Sequence, residues 1–252
     1  MSVERISSGI KGLDEKIGGG FPKNSVILIT GSPGTGKTIF CTNFLLDGIK
    51  KNEPGVFVIT EQKSSDLKFD IFESMKINLE DYEKNNLLKI IEIEPVFSAS
   101  PQRIELEREM GSIIKIYIFD LLKKIESAIK EIGAKRLCID SISLIETFIK
   151  DEYLRRAALT FFLKNLKNLG IVTLITSSPN DKTKNLSISG IIEFLVDGII
   201  KLSYKPKSKD FKRTMTILKM RRTKHSEFVL PFNITNEGIK LVETAIQEKI
   251  QF

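Results

Sequence analysis

Short apolar runs rich in β-branched residues alternate along this chain with longer stretches in which apolar residues recur at helical spacing. The short runs are typical of buried strands, and the longer stretches predict amphipathic helices. The predicted strands are Ser25–Thr30, Gly55–Thr60, Leu87–Ile93, Arg136–Ser141 and Ile171–Ser178. The predicted helices follow the first strand up to Lys51, and then cover Ser65–Met75, Leu79–Glu83, Ile113–Ile132 and Glu152–Leu169, with Gly133 and Gly170 closing the last two. Alternation of this kind predicts an α/β fold, with a mostly parallel sheet covered by helices on both faces.

The last quarter of the chain has a different pattern. Residues Ile199–Tyr204 and Arg213–Met220 predict a β-hairpin, and two short strands near Phe228–Asn233 and Ile239–Val242 extend the sheet in antiparallel fashion. The least regular stretch is Pro95–Met110, which we interpret as a loop carrying a partly ordered helix. The sequence contains no internal repeat and no linker, so we expect residues 1–252 to form one domain.

A glycine-rich loop joins the first predicted strand to the first long helix. Its sequence fits the phosphate-binding pattern G-x-x-x-x-G-K-[ST], and its residues are Gly31, Ser32, Pro33, Gly34, Thr35, Gly36, Lys37 and Thr38. Glycines allow the backbone to wrap closely around a phosphate chain, and the loop amides with the helix N-terminus supply positive potential. We expect Lys37 to contact the β- and γ-phosphates and the Thr38 hydroxyl to ligate Mg²⁺. The alternative is a glycine-rich turn that binds nothing, but the flanking strand and helix favour a nucleotide triphosphate site.

Several segments resemble the KaiC-like branch of the RecA-type ATPases. The opening Ile-Ser-Ser-Gly-Ile-Lys-Gly-Leu-Asp, the Gly-Gly-Gly-Phe-Pro stretch before the first strand, and the Gly-Ile-Ile-Glu-Phe-Leu-Val-Asp-Gly stretch before the hairpin all resemble that family. The resemblance spans roughly Ile6 to Val242 and is weakest over Pro95–Met110. It implies a RecA-like phosphate-loop NTPase fold with a C-terminal antiparallel hairpin, in a single-domain form. The best-known members of the family carry two such domains in tandem.

Two acidic residues end predicted strands and are candidates for the chemistry. Asp140 ends an apolar run, as the aspartate of a Walker B strand does. An apolar run that ends in aspartate is common by itself, but here it ends in Ile-Asp-Ser, as in this family. We expect Asp140 to hold Mg²⁺ through a coordinated water. Glu61 is placed to orient or deprotonate the attacking water, as a glutamate does in the family. The alternative for Glu61 is a solvated carboxylate at a strand end. The family usually has two consecutive glutamates here, whereas this chain has Glu61 followed by Gln62. By the same resemblance, Thr176, Ser177 and Ser178 lie where RecA-type ATPases place a polar residue that senses the γ-phosphate.

The resemblance also implies that the active site is shared between subunits. The segment Lys219–His225 resembles the K-x-R-G-T-x-H segment of the family, in which the lysine and arginine reach into a neighbouring subunit. Lys219 and Arg221 would then contact the γ-phosphate bound by the adjacent protomer. Arg222 replaces the usual glycine, and His225, the single histidine, is expected to be structural or on the surface. A head-to-tail contact generates a ring or a filament, so we expect a homo-oligomer, hexameric by resemblance.

Charge adds one local feature. The chain carries a formal net charge of +7, whereas the hairpin from Lys201 to Lys224 holds ten basic residues and one acid, Asp210. Such a patch can neutralise nucleic-acid phosphates, but single-strand platforms usually also need aromatic residues, and only Tyr204 and Phe211 lie here. Single-stranded DNA is therefore one possible partner of the hairpin at residues 201–224, and a solvated basic hairpin is the alternative.

Composition limits the setting of the protein. No apolar run approaches the length of a membrane span, and the N-terminus lacks a signal-peptide pattern. The two cysteines, Cys41 and Cys138, make neither a disulfide framework nor a metal site, so we expect buried free thiols and a cytoplasmic, reducing compartment.

Three functions fit these observations. The first is a KaiC-like ATPase that uses ATP and Mg²⁺ and couples slow turnover to conformational change or to exchange of protein partners, with autophosphorylation as a further possibility. The second is a paralogue of RecA and RadA that binds single-stranded DNA in recombination and repair. The third is a scaffold that senses ATP with little turnover.

Overall fold

The computed structural model describes residues 3–93, 106–180, 185–204 and 213–242, with the side chains of the long central helix described from residue 114. Two predicted features, most of the irregular stretch after residue 94 and the hairpin tip at 205–212, lie outside the described residues. The strands are β1 (Arg5–Ile6), β2 (Phe21–Pro22), β3 (Val26–Thr30), β4 (Gly55–Ile59), β5 (Leu88–Glu92), β6 (Arg136–Asp140), β7 (Val172–Ser177), β8 (Gly198–Tyr204), β9 (Arg213–Met220), β10 (Leu230–Thr235) and β11 (Gly238–Leu241). The helices are α1 (Leu13–Lys16), α2 (Lys37–Lys50), α3 (Ser64–Met75), α4 (Leu79–Lys84), α5 (Leu106–Ile132), α6 (Ser143–Phe148), α7 (Glu152–Asn168) and α8 (Ile192–Leu195).

One sheet organises the described part of the chain. Its strand order is β11-β10-β9-β8-β3-β7-β6-β4-β5, and β1 pairs with β2 in a small antiparallel ribbon. Neighbouring strands from β8 to β5 run parallel, whereas β9, β10 and β11 are added antiparallel. The predicted α/β fold with a mostly parallel sheet and a C-terminal antiparallel hairpin is therefore confirmed.

Apolar side chains cover both faces of this sheet. On one face, α2 and α3 pack over Ile27, Ile29 and Phe57. On the other face, α5 and α7 pack over Leu28, Val58 and other strand residues. Because both faces are covered, the parallel strands are apolar at nearly every position, as the sequence pattern indicated. Polar chemistry is thereby confined to the strand ends.

Three charged residues are buried in the described part of the chain, Arg136, Glu146 and Asp197, and Arg136 lies inside this core. Arg136, at the first position of β6, is 1% exposed and lies against α2. Its guanidinium donates to the carboxylate of Glu53 at 2.6 and 2.9 Å and to the carbonyl of Phe44 at 2.7 Å, and it lies 3.0 Å from the carboxylate of Asp47. Gly48 leaves room for it, since a Cβ there would lie 2.5 Å from the Arg136 Nε.

The structure corrects the sequence-based prediction for the long helix. Helix α5 begins at Leu106, seven residues before the predicted start at Ile113. Residues 106–112 contain leucine, arginine, methionine and two glutamates, all good helix formers, and these outweigh the single Gly111. Helices α6 and α8 were not predicted, because four to six residues are too few to show a helical period. Among the described residues, no helix is both long and apolar enough to cross a bilayer.

Candidate functional site

The glycine-rich loop lies between β3 and α2, at the edge of the sheet where the parallel strands have their carboxyl ends. Two of its glycines are required by geometry. A Cβ on Gly31 would lie 2.5 Å from the Leu202 carbonyl oxygen, and one on Gly36 would lie 2.8 Å from the Ile234 side chain. Gly36 also has a φ of 106°, in the left-handed region that favours glycine, where α2 begins. Strand β8 and the antiparallel strand β10 therefore both pack directly against the loop.

Lys37, the first residue of α2, folds back over this loop. Its ammonium donates to the Gly31 carbonyl at 2.6 Å and lies 3.4 Å from the Ser32 carbonyl oxygen. Burial lowers the pKa of Lys37, and the nearby carboxylates of Asp140 and Glu61 partly offset this effect. The loop therefore holds one positive charge close to two carboxylates.

Thr38 meets Asp140, which ends β6. The Thr38 hydroxyl donates to Oδ2 of Asp140 at 2.6 Å, and the hydroxyl of Thr176, near the end of the adjacent β7, donates to Oδ1 at the same distance. Hydroxyl and carboxylate oxygens are the donors that Mg²⁺ prefers. Among the described residues, no group of three His, Cys, Asp or Glu side chains could hold a metal ion by itself.

Glu61 lies just beyond β4, at the same edge, and its side chain is exposed. The Ser141 hydroxyl donates to its Oε1, in a contact that the sequence analysis missed. Ser141 is itself fixed by Thr60, which accepts from the Ser141 amide at 3.0 Å and donates to the Ser141 carbonyl at 2.9 Å. Thr60 directly follows β4 and Ser141 directly follows the neighbouring strand β6, and these positions could have indicated the contact from the sequence. The arrangement orients a carboxylate near the phosphate loop while leaving it accessible to water.

Lys219 and Arg221 lie elsewhere. Strand β9 runs antiparallel to β8, so it starts at the edge with the phosphate loop and ends at the opposite edge. The Lys219 ammonium donates to the Glu193 carbonyl at 2.9 Å, and Arg221, about half exposed, lies 3.6 Å from the Asp197 carboxylate. Burial, together with the nearby charge of Arg221, lowers the pKa of Lys219. No contact between described residues joins either side chain to its own phosphate loop.

A different basic residue of the hairpin does reach the loop. Arg213 opens β9, and one of its terminal nitrogens lies 3.5 Å from the Gly34 carbonyl oxygen. Its guanidinium also stacks over the Tyr204 ring, with the Arg213 Cζ 4.8 Å from the ring centroid. In the sequence, Arg213 is recognisable only as one of the ten basic residues of the patch. Its position at the start of a strand that returns from the carboxyl edge was the signal that could have identified it.

Three remaining predictions concern the hairpin tip, His225 and the two cysteines. The tip at residues 205–212, which carries four of the ten basic residues of the patch, lies outside the described residues, so the prediction of single-stranded DNA as a partner stays a prediction. His225 is half-buried, with Nδ1 3.0 Å from the Ser226 carbonyl oxygen. Cys41 and Cys138 are buried free thiols, as predicted.

The chain is similar to known proteins over nearly its whole length. The family model described as "ATPase: KaiC" matches residues 6–246. A UPF0273 protein of Methanopyrus kandleri is 32% identical, over 96% of this chain and 93% of the relative. The circadian clock oscillator protein KaiC of Parasynechococcus marenigrum is 30% identical over 96% of this chain, which spans only 45% of that relative. The crystal structure of a KaiC-like protein of Pyrococcus horikoshii has a TM-score of 0.79 and 34% identity, covering 96% of this chain and 100% of that one.

The sheet order, the loop between β3 and α2, and the match over nearly the whole chain lead to one assignment. This chain belongs to the KaiC family of ATPase domains, within the RecA superfamily of phosphate-loop ATPases.

Proposed function

We propose that this protein hydrolyses ATP with Mg²⁺ at the carboxyl edge of its parallel sheet. The observation that carries the proposal is the convergence of Lys37, Thr38, Asp140 and Glu61 from three separate segments of the chain onto one edge. The loop amides and the Lys37 ammonium would bind the triphosphate. The family to which the chain belongs supports ATP as the nucleotide.

The residues present fit a magnesium ion. Thr38 and Asp140 already place two oxygen ligands within 2.6 Å of each other, and Thr176 holds the other oxygen of Asp140. Thr38 would bind the ion directly and Asp140 through a water. When bound, Mg²⁺ would neutralise part of the charge that develops on the phosphate oxygens.

Glu61 is the proposed acceptor of the water proton. Its carboxylate is oriented by Ser141 and remains exposed, so water can reach it. A positioned general base contributes about 10²- to 10⁴-fold to a rate of this kind. Gln62 replaces the second glutamate usual in the family, and we propose that turnover is therefore slow.

We further propose that Lys219 and Arg221 act on the site of a neighbouring copy, in a homo-oligomer that we expect to be hexameric. Because Arg221 lies at the edge opposite the phosphate loop, it is separated from its own site by the length of β3. Five residues of extended strand correspond to about 15 Å. A neighbouring copy stacked head to tail would bring that edge to the site, and an arginine supplied in this way is worth about 10³- to 10⁵-fold.

We propose a single ATPase domain over residues 1–252 that couples its turnover to conformational or partner exchange. Most of the chain and most of the UPF0273 relative match each other, which supports one domain. The alternatives, a nucleotide-sensing scaffold with little turnover and a DNA-stimulated ATPase, are separated from this proposal by the experiment below.

The experiment measures phosphate release from Mg-ATP, using Lys37→Ala as the blank. We expect turnover above the blank that depends on Mg²⁺ and is indifferent to single-stranded DNA. Turnover no faster than the blank, with nucleotide still bound, would instead support the scaffold, and clear stimulation by DNA at physiological salt would support the repair function.

A mixing experiment tests the shared site. Lys37→Ala lacks a working phosphate loop but carries intact Lys219 and Arg221, whereas Arg221→Ala has the reverse defect. If the site is shared, mixing the two variants restores turnover in those interfaces that pair the intact loop with the intact arginine. A mixture no more active than its components, or a protein that stays monomeric at saturating Mg-ATP, would contradict the shared site.

A further inference from the structure

A buried carboxylate near the site has no role in the chemistry described so far. Glu146, in α6, is 0% exposed. Its Oε1 accepts from the Ser189 amide at 2.9 Å and from the Ser189 hydroxyl at 2.6 Å, and its Oε2 accepts from the Ser177 hydroxyl at 2.7 Å. The carboxylate thus joins the end of β7 to a segment that is distant in sequence.

The partners of Glu146 are neutral. No lysine or arginine in the described ranges forms an ion pair with its side chain, and Arg155 comes only within 3.4 Å of its backbone carbonyl oxygen. Burying a carboxylate without a cation is costly unless its oxygens are fully hydrogen-bonded. An apolar residue would serve packing alone at lower cost, so the hydrogen bonds that Glu146 accepts call for a further explanation.

The segment held by Glu146 also touches the entrance of the phosphate loop. Residues 185–190 follow β7 in the chain, and the carbonyl of Leu186 accepts from the hydroxyl of Thr30, the last residue of β3. Gly31, the first residue of the loop, follows Thr30 directly. Leu186 therefore contacts Thr30, directly before the phosphate loop, and Ser189 is joined to the end of β7 through Glu146.

The end of β7 is consequently held from both faces of the sheet. Successive side chains of a strand point to opposite faces. Thr176 donates to Asp140 on one face, and Ser177 donates to Glu146 on the other. Movement of Ser177 would displace Thr176, and with it the oxygen of Asp140 that Thr176 orients.

We propose that Glu146 is a positioning residue for ATP hydrolysis. It fixes the end of β7 and the 185–190 segment relative to one another, so that Thr176 orients Asp140 while Thr30 holds the start of the phosphate loop. This inference rests on the proposed function, because it assigns Glu146 to the same site. It predicts that the contacts of Glu146 affect the chemical step more than nucleotide binding, since the contact of Lys37 with Gly31 and the packing of the loop against β8 and β10 do not involve Glu146.

The test uses three variants and one matched control. Ser177→Ala removes the single hydrogen bond from β7 and leaves Glu146 with Ser189. Glu146→Leu removes all three hydrogen bonds, whereas Glu146→Gln retains the size of the side chain and an oxygen that can accept from the Ser189 amide. Thr173→Val is the control, because the Thr173 hydroxyl lies on the same strand, is buried, and has no hydrogen-bond partner in the described part of the chain.

The measurements are kcat per nucleotide-binding site, counted by titration with Mg-ADP, and the Kd of Mg-ADP. Substitutions in the outer shell of a metal site typically cost about 10- to 100-fold. We expect Ser177→Ala and Glu146→Leu to lower kcat by about 10- to 100-fold, with the Kd changed by no more than about threefold, and Glu146→Gln to recover most of kcat. Thr173→Val should match the wild type.

Unchanged kcat per binding site in Ser177→Ala and Glu146→Leu would overturn the inference and leave Glu146 a structural residue. If Glu146→Leu does not fold, Ser177→Ala alone decides. A wild-type protein with no turnover above Lys37→Ala would instead overturn the proposed function itself, so the two failures are distinguishable.

Discussion

Strand β6 carries a charged residue at each end, and the two ends contrast sharply. At the amino end, Arg136 is almost completely buried, and carboxylates, carbonyls and the Phe44 ring surround its guanidinium. At the carboxyl end, Asp140 is half-buried, and among the described residues its carboxylate accepts only from two threonine hydroxyls, close to an ammonium and a second carboxylate. The first arrangement satisfies the charge completely within the protein. The second leaves oxygens and a cation available to a ligand.

The charge of Arg136 therefore stabilises the fold, whereas the charge of Asp140 is available to a ligand. Arg136 joins the N-terminal segment, α2 and the start of β4, so a substitution of Arg136 should lower the free energy of unfolding. Substitutions around Asp140 should lower the rate of turnover, while the fold is retained.

Glu61→Gln should have the largest effect on turnover. The amide keeps the size of the side chain but cannot accept a proton, so we expect turnover to fall by about 10²- to 10⁴-fold. The measurement is steady-state phosphate release, with the thermal midpoint recorded alongside. Glu92→Gln is the matched control, since Glu92 ends the outer strand β5 at the same edge and accepts from the Ser64 amide. Equal turnover in the two variants would remove Glu61 from the chemistry.

Arg136→Met should mainly lower stability. Removing the guanidinium leaves the carboxylates of Glu53 and Asp47 without their shared partner, and breaking a buried pair costs about 3 kcal/mol or more. Denaturant unfolding measures this change. The exposed neighbour Lys135→Met should change the free energy of unfolding by less than about 0.5 kcal/mol. If Arg136→Met were as stable as Lys135→Met, the amino end would not be the structural anchor described here.

Asp47→Asn should reduce the loss of stability in acid. Burial raises the pKa of Asp47, but the hydroxyl of Ser7, the ammonium of Lys51 and the charge of Arg136 outweigh burial and lower it overall. A lowered folded-state pKa gives stability that is complete above the unfolded-state pKa, about 3.9, and is lost as pH falls through the folded-state pKa. Unfolding free energies measured from pH 6 down to pH 3 should therefore fall less steeply in Asp47→Asn than in the wild type. Parallel slopes would contradict this contribution.

Tyr117→Phe should give the smallest effect, in the stabilising direction. The Tyr117 hydroxyl is buried with no hydrogen-bond partner among the described residues, and burial raises its pKa to about 12. Removing an unsatisfied buried hydroxyl should raise the free energy of unfolding by about 1 kcal/mol. Tyr153→Phe, at a side chain that is 80% exposed, is the neutral control. Destabilisation by Tyr117→Phe would show that the hydroxyl is satisfied.

The sequence predicted the central sheet well because buried parallel strands are apolar throughout and leave an unmistakable pattern. The phosphate loop was equally clear, since glycine is required by a close backbone contact at Gly31 and by the left-handed φ at Gly36. Asp140 could be identified because a polar residue ending an apolar strand must lie at the strand edge. In these cases local sequence determines local structure.

Contacts between distant segments could not be predicted in this way. The partners of Arg136 come from residues 7, 44, 47 and 53, and those of Glu146 from residues 177 and 189, with no fixed spacing to reveal them. Arg213 is similar, because its approach to Gly34 depends on the antiparallel return of β9. These residues become recognisable only when the strand order is known.

The most direct test of the division along β6 is a single-turnover measurement of ATP cleavage by Asp140→Asn. Asparagine can still accept from Thr176 and can donate to Thr38, so the fold should be retained and the thermal midpoint should stay close to that of the wild type. We predict that cleavage slows by about 10- to 100-fold, since the carboxylate is the proposed holder of the metal-bound water. Cleavage at the wild-type rate by the folded variant would contradict the assignment of the chemistry to this end of the strand.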